Sequence, residues 1–147
     1  MKNDPLKKYK LIYSGELLIF VVLFLVLGIL KIVGIMKPNQ TRTLIFNWIT
    51  LFGGLWIIID FIWMLVSKKR RAKNSLLDKI LNLPIPFVLI PLDLVCLIKY
   101  PGDDVFNLVT GIIFIYIALD YLFQAIYHYY KPLPSIIEAY EEGQKAL

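Results

Sequence analysis

One cysteine, Cys96, and one histidine, His128, are all that this chain of 147 residues has of either type. A lone cysteine excludes an internal disulfide, a dithiol redox pair and a zinc site built on cysteine pairs. A lone histidine excludes multi-histidine metal centres. The chain also lacks a glycine-rich phosphate loop, a haem attachment motif and any nucleophile–base set at a recognisable spacing. No cofactor or metal is therefore expected. No cluster of groups supports an enzyme, a lipid-modifying one included, and the chain reads as non-enzymatic. Acidic residues are few, with 11 Asp and Glu against 16 Lys and Arg and a net charge of +5. That excess could suggest nucleic acid, but the cations stand at the ends of apolar runs, where membrane topology accounts for them. Long polar stretches are missing too. Hydrophobic residues make up 59% and come in blocks. That is too apolar for a soluble domain of this size and leaves no room for a second folded domain.

What the chain does have is a repeated polar pattern inside apolar runs. Asn47-Trp-Ile-Thr50, nine further residues and Asp60-Phe-Ile-Trp63 recur sixty residues later as Asn107-Leu-Val-Thr110, nine residues and Asp120-Tyr-Leu-Phe123. Each copy lies in a run of about twenty otherwise apolar residues, long enough to cross a bilayer. The pattern extends to the preceding spans. Leu30-Lys-Ile-Val-Gly-Ile-Met-Lys37 aligns with Leu92-Asp-Leu-Val-Cys-Leu-Ile-Lys99 at an offset of 62, which sets Lys31 opposite Asp93 and Glu16 opposite Asp78. The chain thus reads as a duplicated all-α integral membrane protein. It is a four-helix transmembrane bundle built from two parallel-repeat helical hairpins, with a short amphipathic helix at the C-terminus. The membrane domain covers 1–131, with repeat one at about 8–67 and repeat two at about 70–130, and a cytoplasmic tail covers 132–147.

In chain order, Met1 to Lys10 is a short basic tail, and span 1 runs from about Leu11 to Met36 as a retained helix rather than a cleaved signal. The polar loop Lys37 to Thr43 is short, so spans 1 and 2 should be antiparallel neighbours. Span 2, about Leu44 to Val66, tolerates Asp60. A central Asp costs roughly 2.5–3.5 kcal/mol, and each Leu, Ile, Phe or Val returns roughly 0.3–0.6. Fourteen such residues outweigh one acid. The run Lys68, Lys69, Arg70, Arg71 and Lys73 follows. It places this loop and both termini in the cytoplasm and doubles as a candidate anionic-lipid or partner patch. Ser75 to Asn82 should form a short interfacial helix with Asp78, Lys79 and Asn82 on its polar side. Pro84 and Pro86 then redirect the chain into a short span 3 ending near Ile98, kinked at Pro91. Tyr100 to Asp104 is a tight outer turn. Span 4 runs from about Val105 to Tyr127, and Ser135 to Glu138 has capping-box spacing for a last short helix at Ile136 to about Glu142.

The candidate chemistry is sparse. Asp60 and Asp120 are intramembrane acids and hence candidates for a proton or cation site, with Glu16 and His128 as further members. Each acid could instead bond a tyrosine, threonine or amide nearby, or reach toward the cytoplasmic interface and its lysines. Lys31 and Asp93, of opposite charge at equivalent positions, are a candidate structural ion pair. The residues Thr50, Gly53, Ile57, Asp60, Met64 and Ser67 of span 2, and Thr110, Ile113, Ile117, Asp120 and Gln124 of span 4, should face inward. The expected role is that of an accessory, assembly or interaction subunit. Its partners would be the bilayer and either another membrane protein or further copies of itself, with no nucleic acid. The alternative is a small oligomeric proton- or cation-linked transporter or channel using Asp60 and Asp120. The expected location is the plasma membrane.

Overall fold

A computed structural model of the chain describes residues 4–34, 40–99 and 103–145. Every regular element among them is a helix: α1 (Lys7–Ile32), α2 (Gln40–Val66), α3 (Lys68–Lys73), α4 (Leu76–Asn82), α5 (Pro84–Ile98), α6 (Asp103–Tyr130) and α7 (Pro134–Lys145). Four stretches are long and apolar enough to cross a membrane: Lys7–Ile32, Ile45–Val66, Leu76–Ile98 and Asp104–Tyr130. Of the expected outer connections, 37–39 and 100–102 lie outside the described residues, while Gln40 and Asp103 already begin α2 and α6.

Local chemistry sets the boundaries. The expected basic tail is helical from Lys7, because Asp4 holds its start. Asp4 Oδ1 accepts the Leu6 N–H at 3.0 Å and Oδ2 accepts from Lys10 Nζ at 2.8 Å. Gly34 closes α1 with φ at +74°, a conformation that favours glycine, and its N–H reaches Lys31 O at 3.2 Å. Ser67 leaves the helical region (φ −92°, ψ 110°) and caps α3 by accepting the Arg70 N–H. Ser75 caps α4 in the same way through the Asp78 N–H.

The interfacial helix expected before span 3 belongs instead to the span. Leu83, between α4 and α5, keeps helical angles (φ −60°, ψ −36°). Pro84 opens α5, where its missing N–H costs little. The chain therefore runs on, and residues 76–98 make one candidate span of 23 residues, about 34 Å at 1.5 Å per residue.

The helices associate as α1 with α6 and α2 with α5. Among the described residues these pairs are far more extensive than any contact of α1 with α2, so the closest neighbours are not the expected hairpin partners. Small residues explain the choice. A Cβ on Gly28 would lie 2.9 Å from Gly111 O, and one on Gly111 would lie 3.0 Å from Gly28 O. The α1 and α6 backbones touch at these two glycines. Phe24 and Phe114 pack beside them, with ring centroids 5.6 Å apart. On the other pair, Gly54 rather than the expected Gly53 faces the neighbour, Ile90 of α5, while Gly53 has open space. Ile113 of α6 packs on Ile85 and Leu89 of α5 and joins the two pairs. The inward stripe of α6 is as expected, with Thr110, Ile113, Asp120 and Gln124 buried.

Candidate functional site

The polar side chains inside the bundle fall into two groups near its opposite ends. The first group straddles both helix pairs near the end that holds the C-terminus of α1 and the start of α2. Asp93 of α5 is fully buried, and its Oδ1 lies 2.9 Å from Thr50 Oγ1 of α2. Thr50 Oγ1 is also 3.0 Å from Phe46 O, so its single proton serves one acceptor at a time. Among the described residues Asp93 Oδ2 has no hydrogen-bond partner. On the other pair, Lys31 of α1 reaches Asn107 Oδ1 of α6 at 3.5 Å and lies 4.5 Å from the centroid of the Phe46 ring and 5.3 Å from that of Phe106. Lys31 and Asp93 thus have separate partners. The expected ion pair does not form among the described residues, because each residue faces the helix against which its own helix packs.

The second group lies near the opposite end, on α4 and α6. His128 is 2% exposed. Its Nδ1 is 3.1 Å from Lys131 O and its Nε2 is 2.7 Å from Asp78 Oδ2. A carbonyl oxygen only accepts, so Nδ1 carries a proton. The 2.7 Å contact holds a further proton, on either the imidazole or the carboxyl. Asp120 accepts from Gln124 Nε2 at 2.8 Å. One oxygen of each acid, Asp78 Oδ1 and Asp120 Oδ1, is buried without a partner. Tyr116 donates to Leu81 O at 2.6 Å, and Ser14 donates to Ala125 O at 3.0 Å, fastening α4 and α1 to α6.

Asp60 belongs to neither group. Arg70 Nη1 donates to its Oδ1 at 2.9 Å, and Lys79 Nζ donates to its Oδ2. This acid is drawn to the basic segment after α2, whereas Asp120 is held within α6. Asp60 and Asp120 share no partner, and nothing among the described contacts brings them together. Glu16 is exposed and lines a cavity of about 210 Å³ with Tyr9, Tyr13 and Ser135. Of the basic run, Arg70 stacks on Trp63 with its guanidinium carbon 3.8 Å from the ring centroid. Lys73 pairs with Glu138 at 2.6 Å, and Arg71 reaches Leu65 O. Among the described residues no three His, Cys, Asp or Glu gather as a metal ion would need.

Asp78, Lys79 and Ser135 join the candidate site residues. Asp78, expected on the polar side of an interfacial helix, is buried. The available signal was the chain's one histidine near the end of span 4, which needs a partner once its helix is central.

The fold and these sites define a class: an all-helical protein whose four apolar helices suit a multi-pass membrane protein. Comparison with known proteins goes no further, since no family model, curated protein or solved structure matches the chain.

Proposed function

We propose that this is a non-enzymatic multi-pass membrane protein acting through helix–helix contacts, as an accessory or assembly subunit, with both termini and the α3 segment in the cytoplasm and the plasma membrane as its site. One observation carries the reading: the acids near or within the spans are used as ties. Asp93 joins α5 to α2, Asp78 joins α4 to α6, and Asp60 joins α2 to α3 and α4. Acids held this way specify which helices meet. A transport site would need them open to a polar path. The exposed side of α2 supports an interaction role. Trp48, Phe52, Trp56, Ile59 and Trp63 lie there within one stripe, all more than 40% exposed. Trp56 stands at mid-span, where a lipid-facing tryptophan is unusual, since the interfaces are its usual place.

The helix pairing also supports an origin by duplication. An offset of 60 for α2 and α6, and of 62 for α1 and α5, carries Thr50 to Thr110 and Lys31 to Asp93. The pair α2 with α5 is then exchanged with α6 with α1. The Thr50–Asp93 contact falls opposite Lys31 and Asn107, one turn from Thr110. Related helices thus bury related polar positions, as a parallel repeat would.

The transporter reading draws on one feature, the buried carboxyl oxygens of Asp78 and Asp120 without partners. Two measurements decide between the readings. Purified protein in liposomes is followed for proton and sodium flux, and a photo-crosslinking residue at Trp56 is activated in native membranes. The assembly reading expects no flux and one discrete adduct. Flux in the wild type that disappears in both Asp78→Asn and Asp120→Asn would replace it with the transporter.

A further inference from the structure

At the end of α2 the structure opens a cavity of about 600 Å³ between α3 and the start of α7. That lies in the range of roughly 300–1,000 Å³ typical of small-molecule sites. Its cations are Lys69, Arg70 and Lys73, and Ser67, Asn74 and Ser135 add hydroxyl and amide groups. No carboxylate lines it. The two nearby acids are already engaged, Asp60 by Arg70 and Lys79, and Glu138 by Lys73. Lys69 has no acceptor among the described residues. Arg70 keeps guanidinium N–H groups beyond the one given to Asp60, and its plane is set by stacking on Trp63, which also lines the cavity. Ser67 and Ser135 bring hydroxyls from two separate elements.

The position says which anion fits. The apolar run of α2 ends at Val66, one residue before the cavity's Ser67. The cavity therefore sits at the level of lipid headgroups, with an interfacial tryptophan in its wall. From Trp63 the exposed apolar face of α2 continues through Ile59 and Trp56, a path for acyl chains. We propose that this cavity binds the phosphate of an anionic lipid headgroup, with Lys69, Arg70 and Ser135 as its principal ligands and the acyl chains along α2. Clustered cations beside a span attract anionic lipids in general. This site adds a built cavity whose hydroxyl and guanidinium donors converge. The inference is independent of the assembly reading and needs only that the helices lie in a bilayer.

The test uses the full chain in phosphatidylcholine nanodiscs containing a tenth phosphatidic acid, with retained lipid read by native mass spectrometry. Variants are Lys69→Gln and Ser135→Ala in the cavity, and Lys68→Gln, an adjacent exposed cation outside its lining. The expected result is retention of phosphatidic acid over phosphatidylcholine, weakened about fivefold by Lys69→Gln and severalfold by Ser135→Ala, but less than twofold by Lys68→Gln. Equal weakening by Lys68→Gln and Lys69→Gln would mean diffuse surface charge and would overturn the proposal. So would inorganic phosphate binding to the protein in pure phosphatidylcholine discs with the same Lys69 dependence, because the ligand would then be a soluble anion. Ser135→Ala removes only an exposed hydroxyl, so its loss of retention can be read without loss of fold.

Discussion

His128 is held at both ring nitrogens, with Nδ1 against Lys131 O and Nε2 against Asp78 Oδ2. Removing the imidazole strands a buried carboxyl, so His128→Ala should lower stability by about 3–5 kcal/mol. The double variant His128→Leu with Asp78→Leu removes both polar groups and should cost less than the two single losses together. Thermal unfolding in detergent, run as a double-mutant cycle, reads this coupling, and additive losses would mean that the pair does not meet. Thr50 is the analogous residue on the other helix pair. Thr50→Val keeps the shape but removes the hydroxyl facing Asp93, whose other oxygen is already without a partner. A loss of about 1–3 kcal/mol is expected. Asp93→Leu in the Thr50→Val background should recover part of it, as measured by the same unfolding assay.

Glycines decide the outcome at the scale of elements. The contact of α1 with α6 depends on two backbones meeting at Gly28 and Gly111, where an added Cβ would press on a carbonyl oxygen. Gly28→Ala must push the helices apart and should destabilise by about 1–3 kcal/mol. Gly53→Ala meets nothing within 4 Å. There the gain in helix propensity, up to about 1 kcal/mol, should dominate and leave the protein unchanged or slightly more stable. Melting temperatures of the two variants should therefore move in opposite directions or differ clearly. If Gly53→Ala were the more damaging, α2 would pack through the face here described as exposed. The short α3 behaves differently. Its contact to α7, Lys73 with Glu138, is exposed on both sides and should contribute under 1 kcal/mol. Of the cations in α3, Arg70, paired with the part-buried Asp60, is the one that ties it to the spans.

For the whole molecule, the proposed topology makes a direct prediction. With Cys96 replaced by alanine, Lys99→Cys should react with a membrane-impermeant reagent on intact cells, and Lys69→Cys should react only after the membrane is opened. The reverse pattern would invert the protein. The number of long apolar helices and their polar inserts were legible in the sequence, but the start of span 3 was not, because α4 runs on into it. Hydropathy over twenty residues and helical period are local properties, each set within one run. The stripe of α6 was legible for the same reason. Partners were not. Asp60 and Asp120 look equivalent along the chain, yet one turns to Arg70 and Lys79 and the other to Gln124. Lys31 and Asp93 look like a pair, yet each is taken by the helix in front of it. The sequence by itself determined that four apolar helices carry a few polar groups at fixed depths. The tertiary structure alone decided which helices touch, and so which acid finds which donor. The physical reason is that lipid and a neighbouring helix are nearly equal as apolar surroundings. Hydropathy cannot tell them apart, and the choice falls to contacts such as Gly28 with Gly111 and Thr50 with Asp93, between residues that stand far apart along the chain.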